Sequence, residues 1–515
     1  MLPRMQGAPR RIATRARKAF IVAGPVLFLA VLLGPELDPA RPAVGRTAAV
    51  AVLMAFYWLT DAIPLAATAL LPVVLFPFLG VLEANETASF YVNDVIFLFI
   101  GGFLLAGAME RWQLHRRIAL RIVLAVGRDP SRLLLGFMAA SWFLSGWISN
   151  TATALMMLPI VMALAVEFER KGGASARAFT VALLLGIAYA CSIGGMATLI
   201  GTPPNLALAR IYTLSFPRAP EITFLGWMKF ALPLSIVLFA VVYAYLRLVI
   251  VRRQTFAFDH ELLDAEYRAL GPMAWEEKVV LWVFATFVAL IVTRADVDLG
   301  GSVIRGWASR LGVAGFVRDG TVSVGVAAIL FLIPARTERR FLLGAGAVGK
   351  LPWDIVILFG GGFALAQAFT ASGLSEFLGG RLVALRGVHP LLLLLAVCTM
   401  ITFLTELTSN TATTQVVLPI IASLCVVLDL HPLFLMVPAT ISASCAFMLP
   451  VATPPNAIVF GAHRLRVADM ARAGLALNLL AVLTVALVMY LVGRAAFGID
   501  LDSAPAWLHV SGIPG

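Results

Sequence analysis

The chain has 515 residues, of which 61% are hydrophobic and 13% charged, and its mean hydropathy is +0.94. This composition excludes a soluble globular domain and indicates a polytopic membrane protein. A net charge of +11 would suggest a nucleic-acid partner in a soluble protein; here basic cytoplasmic loops explain it, and no nucleic acid is expected. Because an open sheet edge is not satisfied in lipid, we expect an all-α fold.

The first quarter of the chain predicts helical spans joined by short links. A basic N-terminus from Arg4 to Lys18 places this end in the cytoplasm. A basic stretch between Arg111 and Arg128 has apolar residues at helical spacing and is expected to lie in the membrane interface as an amphipathic helix. The apolar runs between these two basic regions predict spans at 19–34, 47–63, 64–82 and 94–109.

The next region carries a polar motif, Ser149-Asn150-Thr151, in the middle of the apolar segment 133–166. Both flanks of this segment are basic, so both ends are expected in the cytoplasm and the motif at the tip of a re-entrant hairpin. The following segment, 177–212, is broken by Gly201-Thr202-Pro203-Pro204-Asn205. Two consecutive prolines forbid a continuous helix, so this segment predicts two half-helices with an unwound joint.

A further span at 225–251 leads to Arg252-Arg253, a cytoplasmic stretch at 254–278 with a surface helix, and spans near 279–293 and 320–335. The earlier pattern then begins again. The stretch Asp354 to Phe363 repeats the stretch Asp94 to Phe103, 260 residues earlier (354 − 94).

The second polar motif, Ser409-Asn410-Thr411, also lies 260 residues after the first (409 − 149). It occupies the middle of the apolar segment 390–428, and the next segment, 432–463, is broken at Ala452-Thr453-Pro454-Pro455-Asn456. A last span at 471–494 places the acidic tail with Asp500 and Asp502 outside. Two similar halves in opposite orientation, with about 11 spans in total, predict the inverted repeat of a secondary transporter.

The two hairpin tips and the two joints carry chemistry suited to a cation and an anion. Hydroxyls four residues apart are expected on one helical face as hard oxygen donors for a cation, and unwound carbonyls would complete each cation shell. The tip asparagines offer both an oxygen and two donors, the following threonines would cap the outgoing helices or donate to an anion, and prolines would start the next half-helices. The hydroxyl pairs are Ser145 with Ser149 and Thr405 with Ser409, and the unwound carbonyls are those of Gly201 and Ala452. The tip asparagines are Asn150 and Asn410, the threonines Thr151 and Thr411, and the prolines Pro203 and Pro454.

Lys and Arg are absent from these four motifs. An anion would therefore be held by helix dipoles, hydroxyls, amides and nearby cations, which makes Na⁺ the expected coupling ion. Asp94 and Asp354 stand at the starts of spans, where helix capping is the favoured role over a functional one. Glu406 adjoins the second tip, and both a structural hydrogen-bonding role and a proton site are open for it.

At these motifs the chain resembles the divalent anion/sodium symporter family, the sodium-coupled di- and tricarboxylate transporters. The resemblance covers almost the whole chain and includes both Ser-Asn-Thr tips, the stretch 266–273 (Glu-Tyr-Arg-Ala-Leu-Gly-Pro-Met) and the stretch 444–459, which looks like the family's signature. It implies a homodimer in which a transport domain moves as an elevator against a scaffold. The corresponding divisions are 1–128 and 254–388 for the scaffold, and 129–253 and 389–515 for the transport domain.

By match of motif, the resemblance implies one Na⁺ site at Ser145, Ser149, Asn150 and Gly201 and another at Thr405, Ser409, Asn410 and Ala452. It implies that the substrate carboxylates meet Asn150, Thr151, Ser409, Asn410, Thr411 and Pro454. Thr414-Gln415, after the second tip, is more polar than expected for the family and bears on the choice of anion.

The sequence thus predicts Na⁺-driven uptake of a C4-dicarboxylate (succinate, malate or fumarate) across a bacterial inner membrane, with the N-terminus inside and the C-terminus outside. The alternatives within the transporter class are citrate or sulfate as substrate, or Na⁺-independent dicarboxylate exchange. From other classes, an anion channel or a non-transporting sensor stays open. An enzyme is not expected, because neither a nucleophile with a base in reach nor a phosphate-binding loop stands out.

Overall fold

The computed structural model describes residues 9–127, 129–251, 261–298, 302–338, 340–501 and 503–508. Helices account for nearly all of the regular structure, which confirms the all-α prediction; a two-stranded ribbon pairs β1 (Val297–Asp298) with β2 (Val303–Ile304). Part of the predicted cytoplasmic stretch, 254–260, and several charged residues used to orient the chain lie outside the described residues: Arg4, Arg128, Arg252, Arg253, Arg339 and Asp502.

The first quarter of the described chain forms seven helices. The region predicted as one span, 64–82, contains two short helices that adjoin at Leu70, with Pro72 in the first turn of the second helix. Asn93, and not Asp94, caps the sixth helix: its Oδ1 accepts from the backbone N–H of Val95 at 3.2 Å. The helices are α1 (Pro9–Leu32), α2 (Pro42–Thr60), α3 (Leu65–Ala69), α4 (Leu71–Phe78), α5 (Ala84–Ser89), α6 (Asp94–Arg111) and α7 (Leu114–Val126).

The next four helices contain the first polar motif. One of them, α9, is helical over 47 residues, whereas the sequence predicts a hairpin arm and a separate span. A straight helix would hold residues 150 and 195 about 68 Å apart, yet a methyl group built on Gly195 would lie 2.6 Å from Oδ1 of Asn150. The apolar stretches Asn150–Glu167 and Ala176–Met196 must therefore run in opposite directions. The helices are α8 (Pro130–Ser145), α9 (Asn150–Met196), α10 (Pro203–Ser215) and α11 (Phe224–Tyr245), the last extended by a π-helical turn, Leu246–Val251.

The third quarter returns to short and medium helices. Glu277 of α13 forms a buried ion pair with Arg117 of α7, at 2.7 Å from its Nε, so the basic amphipathic helix is fixed to this part of the fold. The predicted span at 320–335 is an 11-residue helix. The helices are α12 (Glu261–Ala269), α13 (Trp275–Val292), α14 (Trp307–Arg310), α15 (Asp319–Ile329), α16 (Gly346–Gly349), α17 (Trp353–Ser372) and α18 (Leu374–Arg381), followed by a 3₁₀ turn, Val383–Leu385.

The last quarter holds the second polar motif and matches the predicted elements closely. The final 3₁₀ turn packs back onto the bundle: the ring of Trp507 contacts Tyr212 and Phe216 at the end of α10, and it meets His431 edge to face at 5.4 Å. The helices are α19 (Pro390–Thr405), α20 (Asn410–Leu428), α21 (Leu433–Ala443), α22 (Pro454–Phe460), α23 (Val467–Val488) and α24 (Arg494–Phe497), with a π-helical turn at Met489–Gly493 and the 3₁₀ turn at Ala506–Leu508.

Eight helical stretches within the described ranges are long and apolar enough to cross a membrane. The count of about 11 spans, the inverted repeat and the four domain divisions stay predictions. The eight stretches are Pro42–Thr60, Ala84–Arg111, Asn150–Glu167, Ala176–Met196, Phe224–Val251, Trp353–Ser372, Asn410–Leu428 and Val467–Phe497.

Glycines let the repeated Asp-to-Phe helices, α6 and α17, approach their neighbours at backbone distance. On α17, three consecutive glycines face three different neighbours, since successive helical residues point about 100° apart. Gly360 faces the Tyr91 ring, Gly361 the backbone of Ala69, and Gly362 the side chain of Gln415. On α6, a methyl group at Gly101 would lie 2.5 Å from the carbonyl carbon of Ser323 in α15.

We expect Gly101→Ala to destabilise the protein by roughly 1–3 kcal/mol, because the added methyl forces α6 and α15 apart. The matched control is Gly107→Ala in the same helix, where a Cβ meets no atom within 4 Å; it should be neutral or stabilising by about 0.5–1 kcal/mol. Thermal unfolding of the two purified variants in detergent checks this. Equal effects would contradict the close α6–α15 contact.

A second expectation concerns pH. Burial lowers the pKa of the His431 imidazole from 6.5 to about 4, and its Nδ1 accepts from the backbone N–H of Leu433 at 3.3 Å. Below pH 6.5 the unfolded chain takes up this proton and the folded chain resists it, so the contribution of His431 to stability is lost as the pH falls from 6.5 towards 4.

Unfolding temperatures at pH 7.5 and 5.0, for the wild type and His431→Asn, test this. Asn keeps an oxygen acceptor for the Leu433 N–H but does not titrate, so the variant should lose less stability on acidification than the wild type. Identical losses would show that His431 does not resist protonation.

Candidate functional site

Both hairpin tips and both joints line a single cavity of about 640 Å³. The two tips, 260 residues apart in the chain, and the two joints, 251 residues apart, therefore lie around the same cavity. The remaining lining comes from the end of α2 and start of α3, from the middle of α6, and from the first turns of α17. The tip and joint residues in the lining are Ser149, Asn150, Thr151, Leu407, Thr408, Ser409, Asn410, Thr411, Ile200, Gly201, Thr202, Pro203, Pro204, Val451, Ala452, Thr453 and Pro454.

At the first tip, α8 ends at Ser145 and α9 begins at Asn150. The expectation that Ser145 and Ser149 share one helical face is wrong, because the helix stops between them and Ser149 caps α9, accepting from the Ala152 N–H at 3.1 Å. Capping by Ser149 also replaces the capping expected of Thr151. The hydroxyl of Ser145 instead donates to Oδ1 of Asn150, 2.5 Å away.

The second tip is built alike, except that the Ser409 side chain makes no capping hydrogen bond to α20. Thr405 ends α19 and Ser409 precedes the first residue of α20, Asn410, so the shared helical face is again absent. The hydroxyl oxygen of Thr405 lies 2.7 Å from Oδ1 of Asn410 and 2.8 Å from the carbonyl oxygen of Ala443. One hydroxyl proton serves one acceptor at a time, so three oxygens meet with a single proton between them, an arrangement suited to a bound cation.

The two joints are held open by asparagines in equivalent positions, since 456 − 205 gives 251. Nδ2 of Asn205 donates to the carbonyls of Gly195 at 3.1 Å and Thr198 at 2.7 Å. Nδ2 of Asn456 donates to the carbonyls of Ala446 at 3.0 Å and Leu449 at 3.1 Å. These bonds satisfy carbonyls left unpaired where a helix ends inside the apolar bundle. Pro203 and Pro454 start the next helices, as predicted.

The first tip and the first joint touch through glycines. A methyl group on Gly195 would lie 2.6 Å from Oδ1 of Asn150, and one on Gly201 would lie 2.5 Å from the Gly195 carbonyl oxygen. Thr198 strengthens the contact, because its hydroxyl donates to the Gly146 carbonyl at 2.5 Å and accepts from the Gly201 N–H at 3.1 Å.

Nine of the eleven predicted site residues line the cavity, and Ser145 and Thr405 are fully buried behind the tips. Sequence reasoning missed the wall contributed by Trp58, Asp61 and Phe103, for which no motif gives a signal. It also placed Asp354 in a capping role, whereas this residue is exposed in the cavity wall and Pro352 precedes the helix. Its counterpart Asp94 is not part of the lining.

The electrostatics of the cavity come from helix ends and carboxylates. The first N–H groups of α9 and α20 have no intrahelical acceptor and carry partial positive charge, while the last carbonyls of α8 and α19 carry partial negative charge. Among the described residues that form the lining, Asp61 and Asp354 are the charged side chains, and none is Lys, Arg or His. The cavity can therefore hold an anion at helix N-termini and cations at oxygen clusters, but it offers an anion no ion pair with a side chain.

Comparison with known proteins assigns the class. The family described as the sodium:sulfate symporter transmembrane region matches residues 16–498, and the chain belongs to this family, the divalent anion/sodium symporters. It is a family of secondary transporters rather than of enzymes.

Curated relatives include the sodium-dependent dicarboxylate transporters SdcS of two staphylococci. The protein of Staphylococcus saprophyticus is 42% identical over 490 residues, covering 93% of this chain and 92% of the relative, and that of Staphylococcus aureus is 41% identical over 500 residues, covering 94% and 92%.

Two solved structures share the fold at low identity. The efflux pump MtrF of Neisseria gonorrhoeae has a TM-score of 0.55 at 13% identity, covering 82% of this chain and 86% of its own. The transporter YdaH of Alcanivorax borkumensis has a TM-score of 0.52 at 14% identity, and the match covers 78% of this chain and 85% of YdaH.

We expect Gly195→Ala to disable the first tip, because its methyl group displaces the Asn150 amide oxygen. Gly325→Ala, a helical glycine whose Cβ would meet nothing within 4 Å, is the matched control. Binding of the transported anion, measured by the change in unfolding temperature that it causes, should fall at least roughly tenfold in affinity for Gly195→Ala and stay unchanged for the control. Unchanged anion affinity in both variants would contradict a role of Gly195 in shaping the site.

Proposed function

We propose that this chain is a sodium-coupled symporter that takes up C4-dicarboxylates such as succinate, malate and fumarate. The observation that carries the proposal is the single cavity in which both Ser-Asn-Thr tips and both joints meet without a basic side chain. The relatives named as sodium-dependent dicarboxylate transporters support it, since their identity to this chain extends over nearly its whole length.

In this proposal, each tip and its joint bind one Na⁺ ion. Ser145, Ser149, Asn150 and the Gly201 carbonyl form the first site; Thr405, Ser409, Asn410 and the Ala452 carbonyl form the second. The bond between the Ser145 hydroxyl and Oδ1 of Asn150, and the three oxygens around Thr405, support this assignment, because each brings together neutral oxygens suited to a small cation.

The substrate carboxylates lie between the two Na⁺ ions. Within the part of the chain that the structure describes, the amide nitrogens of Asn150 and Asn410 donate no hydrogen bond, so they can donate to the anion while their oxygens face the cations. The hydroxyls of Thr151, Ser409 and Thr411 and the start of α22 at Pro454 complete the contacts. The N-terminal N–H groups of α9 and α20 add partial positive charge.

Coupling follows from the charges of the cavity. A doubly charged anion entering it meets two carboxylates, Asp61 and Asp354, and no basic side chain. Bound Na⁺ is then the main compensating charge, so the anion binds well only to the sodium-loaded protein. This argues against Na⁺-independent exchange.

The transport cycle in this proposal is an elevator movement of residues 129–253 and 389–515 against a scaffold formed by 1–128 and 254–388, in a homodimer in the bacterial inner membrane with a cytoplasmic N-terminus and an external C-terminus. By the predicted topology, the end of α2 with Asp61 and the start of α17 with Asp354 are cytoplasmic. The cavity between them then represents the state open to the cytoplasm.

Uptake of labelled succinate into proteoliposomes, with and without an inward Na⁺ gradient, tests the proposal. The wild type should require Na⁺, and Asn150→Ala should lose roughly 10- to 100-fold in uptake, since a half-buried amide proposed to contact both ions is removed. Ser141→Ala, one turn before Ser145 and bonded to the Phe137 carbonyl, should retain uptake. Uptake that does not depend on Na⁺ but requires internal dicarboxylate would show that the protein is an exchanger. Preferential uptake of labelled citrate or sulfate over succinate would show that the substrate is one of these anions instead.

A further inference from the structure

The two tips differ at one position whose chemistry is not interchangeable. Glu406 of the second tip stands where the first tip has Gly146, 260 residues earlier (406 − 146). In the first half, the Gly146 carbonyl accepts from the Thr198 hydroxyl of its joint. In the second half a carboxylate, 3% exposed, makes the equivalent contact.

The Glu406 carboxylate binds its joint and the last long helix together. It accepts from the backbone N–H groups of Met448 at 2.8 Å and Leu449 at 3.0 Å, and from Nδ2 of Asn478 in α23 at 2.7 Å. Oδ1 of Asn478, a fully buried residue, accepts in turn from the Phe447 N–H at 3.3 Å. Of the two roles considered for Glu406, the structural one is present: its carboxylate accepts hydrogen bonds from three N–H groups.

These three donors are neutral N–H groups and bring no net positive charge to the carboxylate. In the described ranges Glu406 forms no ion pair with Lys, Arg or His, and a buried charge without a counterion is costly. The cation site expected at the second tip adjoins this network, since Thr405 directly precedes Glu406 and the Leu449 carbonyl accepts from the N–H of Ala452 at 3.2 Å.

From these contacts we infer that the two Na⁺ sites are unequal: the fixed charge of Glu406 makes the second-tip site the tighter one, and it fills first. The inference rests on the proposed function, because it needs Na⁺ as coupling ion. Glu406 is a positioning residue in it. The carboxylate holds the joint that carries Ala452 and supplies the negative charge that the first half lacks at Gly146.

The test is a Na⁺ titration of unfolding temperature for the purified protein in detergent, with choline replacing Na⁺ to hold ionic strength. The wild type should show a tight and a weak phase. Thr405→Ala should lose the tight phase and Ser145→Ala should keep it, so this pair measures the inequality even where other variants fail to fold.

Glu406→Gln then isolates the charge. The half-saturating Na⁺ concentration of the tight phase should rise roughly tenfold or more when the carboxylate becomes neutral. Asn478→Ala is the control: it removes one donor and one acceptor of the same network but leaves the charge, so its unfolding temperature falls while the tight phase moves less than about twofold.

Three results would overturn the inference. They are a tight phase lost in Ser145→Ala and kept in Thr405→Ala, equal losses in the two variants, or a Glu406→Gln protein that is less stable with unchanged Na⁺ affinity. The absence of any Na⁺-specific stabilisation in the wild type would instead contradict the proposed function itself.

Discussion

The requirement that backbone polar groups be satisfied inside an apolar bundle governs the architecture. At the two tips and the two joints, four helices end and four begin beside the cavity. Each broken end leaves carbonyl or N–H groups without intrahelical partners, and in lipid such groups are costly. The side chains of Asn205 and Asn456 resolve this cost at the joints. The same exposed backbone groups are what an ion and an anion use, so the instability of the helix breaks and the binding site have one physical origin.

The two halves solve the same problem with different chemistry. Asn205 and Asn456 bind equivalent carbonyls, and Trp227 and Asn478, also 251 residues apart (478 − 227), each bond the backbone of their joint through Met196 and Phe447. The tips, however, bind their joints differently. In the first half a glycine carbonyl accepts from a threonine hydroxyl, and in the second half a carboxylate accepts from two backbone N–H groups. Similar backbones thus carry different charges.

Much of this organisation could be predicted from the sequence because its motifs are local. Consecutive prolines break a helix wherever they occur, so Pro203 and Pro454 mark helix starts without knowledge of the fold. The distance between copies of Ser-Asn-Thr predicts that they meet, and they line one cavity. What could not be predicted depends on contacts distant in sequence. Asp61 and Trp58 enter the cavity wall through the packing of α2, and Ser145 with Ser149 looked like one helical face because spacing does not reveal where a helix stops.

The triple glycine of α17 limits how this protein can diversify. Tyr91, the backbone of Ala69 and Gln415 occupy the space next to Gly360, Gly361 and Gly362, so any side chain at these positions collides with a different neighbour. This helix is therefore held against three neighbours by steric exclusion, and its packing tolerates no larger residue at these positions. The cavity lining has room for change elsewhere: Leu407 at the second tip and Val451 at the second joint are both exposed and line the cavity, so a change of size or polarity there alters the cavity without disturbing the core.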